Sequence, residues 1–136
     1  MVLVSFQFLA LAINLAQSAE PTGAAIEGKW RNPSGSVIIA IAPCGEALCG
    51  RVQWASEKAM SDARRGGTDP LVGAELLSDV TRKHDDRWKA RLFVPDINKT
   101  SKVELRPLGP DQLKVMGCAL GGIVCKSQIW TRAGED

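Results

Sequence analysis

Arg87-Trp88-Lys89-Ala90-Arg91-Leu92-Phe93-Val94 decides the fold class. Trp88, Ala90, Leu92 and Val94 fall on one face of an extended chain, and Arg87, Lys89, Arg91 and Phe93 on the other. A period of two belongs to a strand with one face on a core and the other in water. Arg82-Lys83-His84-Asp85-Asp86, just before it, reads as a charged hairpin turn, with another strand at 74–81. After it the chain turns at 96–99 and again at 107–111, leaving strands at 101–106, 112–118 and 125–132. Towards the amino end, 27–32, 36–42 and 48–54 read the same way, the last with Leu48, Gly50, Val52 and Trp54 on its apolar face.

Eight short strands joined mostly by hairpin-sized turns predict an all-β, antiparallel, eight-stranded barrel or a tight sandwich. Closure into a barrel removes the unpaired edges that eight strands otherwise expose. One segment breaks the pattern. Glu57, Lys58, Ala59 and Met60 favour a helix and Gly66-Gly67 stops one, so at most one short helix is expected. The long connection from Ser56 to Pro70 is read first as a solvated link, with a lid or contact loop as the alternative.

The four cysteines are Cys44, Cys49, Cys118 and Cys125. Three pairings are possible. The two local ones are preferred, because each pair brackets a turn and antiparallel neighbours lie within disulfide reach. Each short loop is expected to contribute roughly 2 kcal/mol. A four-thiolate zinc site is disfavoured: four and six residues separate the pairs, and zinc knuckles place two to four between ligands. Neither a metal nor a cofactor is expected.

Residues 2–13 form an apolar run too short to span a bilayer as a helix, and Ala16-Gln17-Ser18 is a small-x-small triplet. Residues 1–18 therefore read as an export signal, and 19–136 as a single barrel domain of the periplasm or the extracellular space. No other segment is apolar enough to cross a membrane as a helix. The net charge is +2 with both signs mixed, which supplies no field for nucleic acid.

Catalytic groupings are scarce. His84 is the sole histidine and stands among Lys83, Asp85 and Asp86 in a turn. Asp69, Asp85 and Asp86 suit turns and caps better than paired acid–base work. No catalytic residue is assigned, and the protein is expected not to be an enzyme. Arg87, Lys89 and Arg91 form a positive stripe, read as a soluble outer face more readily than as a headgroup or partner site.

Gly28-Lys29-Trp30 opens the first strand and Trp130-Thr131-Arg132 closes the last. This resembles the lipocalin and calycin signature, which implies that Trp30 packs under Arg132 at a closed barrel end. Gly28, Trp30, Trp130 and Arg132 are the structural signature on that reading. Together with Ala42-Pro43-Cys44-Gly45-Glu46-Ala47-Leu48-Cys49-Gly50, Gly117-Cys118 and Gln128-Ile129, the chain resembles the bacterial exported family called domain of unknown function 2147. The middle departs from the pattern: Lys89-Ala90 stands where relatives often carry a glycine, and no tyrosine follows.

The resemblance implies a calycin-like barrel but carries no activity. Eight strands leave an interior either filled by side chains or just able to hold one small ligand. With four tryptophans, any cavity is expected to be small, lined by Trp54 and Trp88. The expected function is a monomeric exported protein binding a small apolar or amphipathic molecule. The alternative is an interaction module of the cell envelope whose partner is another envelope protein.

Overall fold

The structure, a computed structural model, describes residues 25–119 and 124–134. The expected export signal and the Gly121-Gly122 turn lie outside the described residues. The strands are β1 (Gly28–Arg31), β2 (Val37–Cys44), β3 (Ala47–Ala55), β4 (Glu75–His84), β5 (Arg87–Val94), β6 (Lys99–Pro107), β7 (Gln112–Ala119) and β8 (Val124–Arg132), with α1 (Glu57–Gly66) between β3 and β4. Each strand pairs antiparallel with its neighbour in sequence, and β8 returns to β1, so the sheet closes into an eight-stranded barrel.

The closing seam is short. Trp30 faces Arg132 and Arg31 faces Thr131, and there the pairing of β1 with β8 ends. The hairpin turns at 45–46 and 85–86, the 108–111 loop and Arg132 share one end, called the closed end. The 32–36 loop, α1 and the 95–98 loop share the other, open end.

The β2–β3 hairpin turns on Gly45-Glu46, with Gly45 at a φ of +74°. A glycine at the first central position suits the two-residue turns that match strand twist. Cys44 faces Ala47 across it and Pro43 faces Leu48. Hydrogen-bonded and open pairs alternate along an antiparallel ladder. The position of Pro43 is thus an open pair, and its missing N–H falls beyond the end of β1, which reaches only to Ile41. This is why β2 runs two residues past the expected stop at Ala42.

Both local disulfides are present, Cys44–Cys49 with Cα atoms 5.7 Å apart and Cys118–Cys125 with 4.0 Å. Cys118 lies directly opposite Cys125. Cys44 and Cys49 instead join diagonally, since Cys49 faces Ala42.

The strand expected at 48–54 contains a bulge that the alternation did not anticipate. Ile39 faces Val52 but Ile38 faces Trp54, so Gln53 is an extra residue. A bulge leaves one residue unpaired and reverses the phase beyond it. Val52 and Ala55 consequently point inward, while Trp54 stands on the outer surface at 48% exposure.

The core is almost wholly apolar, and no polar or charged residue is buried among those described. Trp30, Ile41, Leu77, Val80, Leu105 and Leu113 are its most enclosed side chains, and Trp88 packs with them. Trp88 sits near the start of β5, towards the closed end.

α1 begins at Ser56, whose hydroxyl accepts from the Ala59 N–H at 3.1 Å. It ends at Gly67 in the left-handed conformation, whose N–H reaches back to the carbonyls of Ala63 and Arg64. The expected two turns extend to ten residues. Ala63 is fully buried, so the helix packs on the barrel and is not a solvated link.

Candidate functional site

The closed end is built around Arg132. Its guanidinium lies 4.0 Å from the Trp30 ring centroid. It also donates to three main-chain carbonyls: Glu27 at 2.5 Å, Ala25 at 3.4 Å and Pro110 at 3.1 Å. Trp30 is fully buried, and its indole N–H donates to the Ile26 carbonyl at 2.9 Å. Gly28 has a φ of +117°, and a Cβ there would stand 2.6 Å from Arg132 Nη1. A planar cation stacked on an indole with its N–H groups on carbonyls is a strong local lock. Gly28, Trp30 and Arg132 are brought together, and they plug this end.

At the other end the barrel opens into a cavity of about 670 Å³ between the strands and α1. That is larger than four tryptophans led us to expect, and it lies within the range of small-molecule sites. Val37 and Ile39 of β2, Leu71, Leu76, Leu92, Phe93 and Trp130 supply its apolar wall. Polar groups gather at its rim: Asn32, Ser34 and Ser36 from the β1–β2 loop, Lys58 and Asp62 from α1, Asp96 and Gln128.

The two tryptophans expected to line a cavity do not do so. Trp54 is turned out by the bulge at Gln53, and Trp88 is buried in the packed core. Trp130 lines it instead, through a ring whose N–H donates to Gln128 Oε1 at 3.0 Å. With Trp30 and Trp88 towards the closed end and Trp54 outside, the open end carries mostly mid-sized aliphatic groups and remains unfilled.

α1 is held over this opening. Gly66 packs so tightly on the β5–β6 loop that a Cβ there would lie 2.0 Å from the Pro95 carbonyl oxygen. On its rim side Asp62 accepts from Lys58 at 2.9 Å and also from Arg65. The Lys58 hydrogen bond, with the charges of Lys58 and Arg65, keeps the Asp62 carboxyl below its ordinary value, against a smaller opposing effect of burial.

Other sequence candidates fall elsewhere. His84 ends β4 on the surface, 3.9 Å from the exposed Asp85 carboxylate. The positive stripe on β5 is largely compensated: Arg87 meets Glu104 at 3.3 Å and Arg91 meets Asp79 at 3.8 Å. Exposed pairs of this kind contribute little. Cys44, Cys49 and Glu75 bring potential ligand atoms within 4.8 Å of one another, but the two sulfurs are bonded together and offer no thiolate.

Residues 28–132 match the family described as an uncharacterized protein conserved in bacteria, DUF2147. The chain belongs to this family. Among solved structures the DUF2147 chain is similar to one titled "Protein HP1028 from the human pathogen Helicobacter pylori belongs to the lipocalin family". The two share 12% identity and a TM-score of 0.61, over 80% of this chain and 83% of that one. At that identity the likeness is one of fold: this DUF2147 barrel is lipocalin-like. A search of curated proteins gives no match. No described helix is long and apolar enough to cross a membrane.

Proposed function

We propose that this DUF2147 protein is an exported binding protein for a small apolar or amphipathic molecule, held in the open-end cavity beneath α1. The observation that carries the proposal is the apolar wall of that cavity, about 670 Å³ within a barrel whose other end is closed by Arg132 on Trp30. An apolar recess with a few polar groups at its mouth is the usual form of a ligand site. The lipocalin-like fold adds support at the level of architecture only. The apolar run over 2–13 and the two disulfides favour export. The reading is of a binder and not an enzyme, since the described residues of the rim join no nucleophile to a base.

The test is native mass spectrometry of the full chain purified from its bacterial host, with uptake of the apolar fluorophore N-phenyl-1-naphthylamine. A retained lipid-sized mass, or saturable uptake lost in Leu92→Arg, is the expected result. A bare protein that takes up no fluorophore overturns the proposal.

A second reading, an envelope interaction module, has one observation in its favour. Trp54 and Val72 are 48% and 44% exposed, on adjoining segments joined through the hydrogen bonds of Val52 with Gly73 and Ala74. A contiguous exposed apolar patch is a common mark of an interaction site. Pull-down of an envelope protein that Trp54→Gln abolishes is the outcome that favours this reading.

A further inference from the structure

We infer that the cavity selects an amphiphile with an apolar chain and an uncharged polar head, and rejects the carboxylate of equal chain length. This rests on the reading of the cavity as a ligand site. The apolar wall accounts for the chain. The head is decided by what the rim offers.

Among the described residues three charged side chains border the cavity: Lys58, Asp62 and Asp96. Lys58, the one cation among them, is committed to Asp62, which also holds Arg65. Asp96 adds a second carboxylate, which forms no ion pair among the described residues. An anionic head entering here sheds water, gains no free cation from the described rim and faces a like charge at Asp96. Both the desolvation and the repulsion oppose it. A cationic head can reach Asp96 but meets the like charges of Lys58 and Arg65 and sheds its own water.

The remaining rim groups are neutral and already arranged. Asn32 Nδ2 donates to Ser36 Oγ at 3.0 Å, and Ser36 Oγ lies 2.8 Å from Ser34 Oγ. Only one of the two hydroxyl hydrogens is used between the serines. The other hydrogen and the spare lone pairs point to a partner that both donates and accepts. Gln128 accepts from the Trp130 indole with its Oε1, which leaves its amide N–H groups to donate. Hydroxyls and amides satisfy such groups without carrying charge into the site.

The experiment is displacement of N-phenyl-1-naphthylamine from the full chain at neutral pH by three twelve-carbon amphiphiles below their micellar concentrations: monolaurin, laurate and dodecylammonium. Monolaurin is expected to displace at a concentration about tenfold or more below either charged analogue. Asp96→Asn is expected to narrow the gap between monolaurin and laurate severalfold. Laurate or dodecylammonium displacing as well as monolaurin overturns the head-group inference and leaves the cavity reading intact. Failure of the fluorophore itself to bind overturns the cavity reading, and the inference with it.

Discussion

Replacing Gly28 and Arg132 singly and together measures how the barrel is closed. In Arg132→Met the stack on Trp30 and the donations to the Glu27, Ala25 and Pro110 carbonyls are lost. Hydrogen bonds from a charged group contribute about 1.5–3 kcal/mol each when buried. Two of these are exposed and one is half-buried, so water replaces most of their worth and the three together contribute about 1.5–2 kcal/mol. Adding about 0.5–2 kcal/mol for the cation–π contact gives an expected loss of about 2–4 kcal/mol. Gly28→Ala has two costs of different origin. A non-glycine residue at positive φ costs about 1–2 kcal/mol whatever its surroundings. The new Cβ, 2.6 Å from Arg132 Nη1, must also push the guanidinium off the Glu27 carbonyl, at about 1–2 kcal/mol more. In the Arg132→Met background only the first cost remains. The cycle is therefore expected to show about 1–2 kcal/mol of coupling. The assay is equilibrium urea unfolding followed by tryptophan emission, with midpoint and slope fitted together. An equal cost of Gly28→Ala in both backgrounds, to within about 0.5 kcal/mol, would falsify the claim that Gly28 is required by the approach of Arg132.

Four further outcomes are expected. Replacing either cysteine pair by serine lowers stability by roughly 2 kcal/mol in urea, with the barrel fold retained by circular dichroism. Trp54→Gln shifts the unfolding midpoint by less than about 0.5 kcal/mol, whereas an inward tryptophan would cost about 3–5 kcal/mol, so the same urea titration tests the bulge at Gln53. Gly66→Ala lowers stability by about 1–3 kcal/mol and weakens fluorophore uptake, because α1 must lift from the Pro95 carbonyl. The Asp62 carboxyl is held below its ordinary value in the folded state, so its contribution is present above the unfolded value of about 3.8 and disappears as the pH falls through the lower folded value. The thermal midpoint of wild type should therefore drop more steeply than that of Asp62→Asn below about pH 4; parallel curves would remove the Lys58–Asp62 contact from the account.

Much of the barrel was legible because its residues obey local rules. The alternation from Arg87 to Leu92 survives as buried Trp88 and Ala90 between exposed Lys89 and Arg91. Gly28 and the Trp30–Arg132 contact were legible for a different reason: a glycine two residues from a tryptophan and an arginine two after another mark a known kind of barrel end. Trp54 was misread because alternation assumes one residue per pleat. In 48–55 the inward residues are Leu48, Gly50, Val52 and then Ala55, a step of three that a bulge allows. The same step separates buried Leu77 from buried Val80, around Asp79 at a φ of +51°. A step of three between apolar positions in an otherwise alternating strand was the available signal. It competed with Trp54 itself, a large apolar side chain at the regular position, and hydrophobicity favoured the wrong phase.

The cavity was illegible for a reason that follows from those bulges. Its size depends on where the tryptophans point, not on how many there are. Closing a small barrel requires strong bending, and bulges provide it. On β3 the bend lies near the open end, and the same extra residue that curves the strand sends Trp54 outward. The volume a regular strand would have filled with an indole is left to Val37, Ile39 and Leu76, with α1 laid across it. Trp30 and Arg132 brace the other end, where the seam is only two residue pairs long. An under-filled cavity carries a free-energy cost in its lining. A bound apolar chain recovers the missing contacts, so occupancy should raise the unfolding midpoint of the wild type by mass action. A variant with Leu92→Trp already fills that space, and its midpoint should rise without ligand and no longer respond to one.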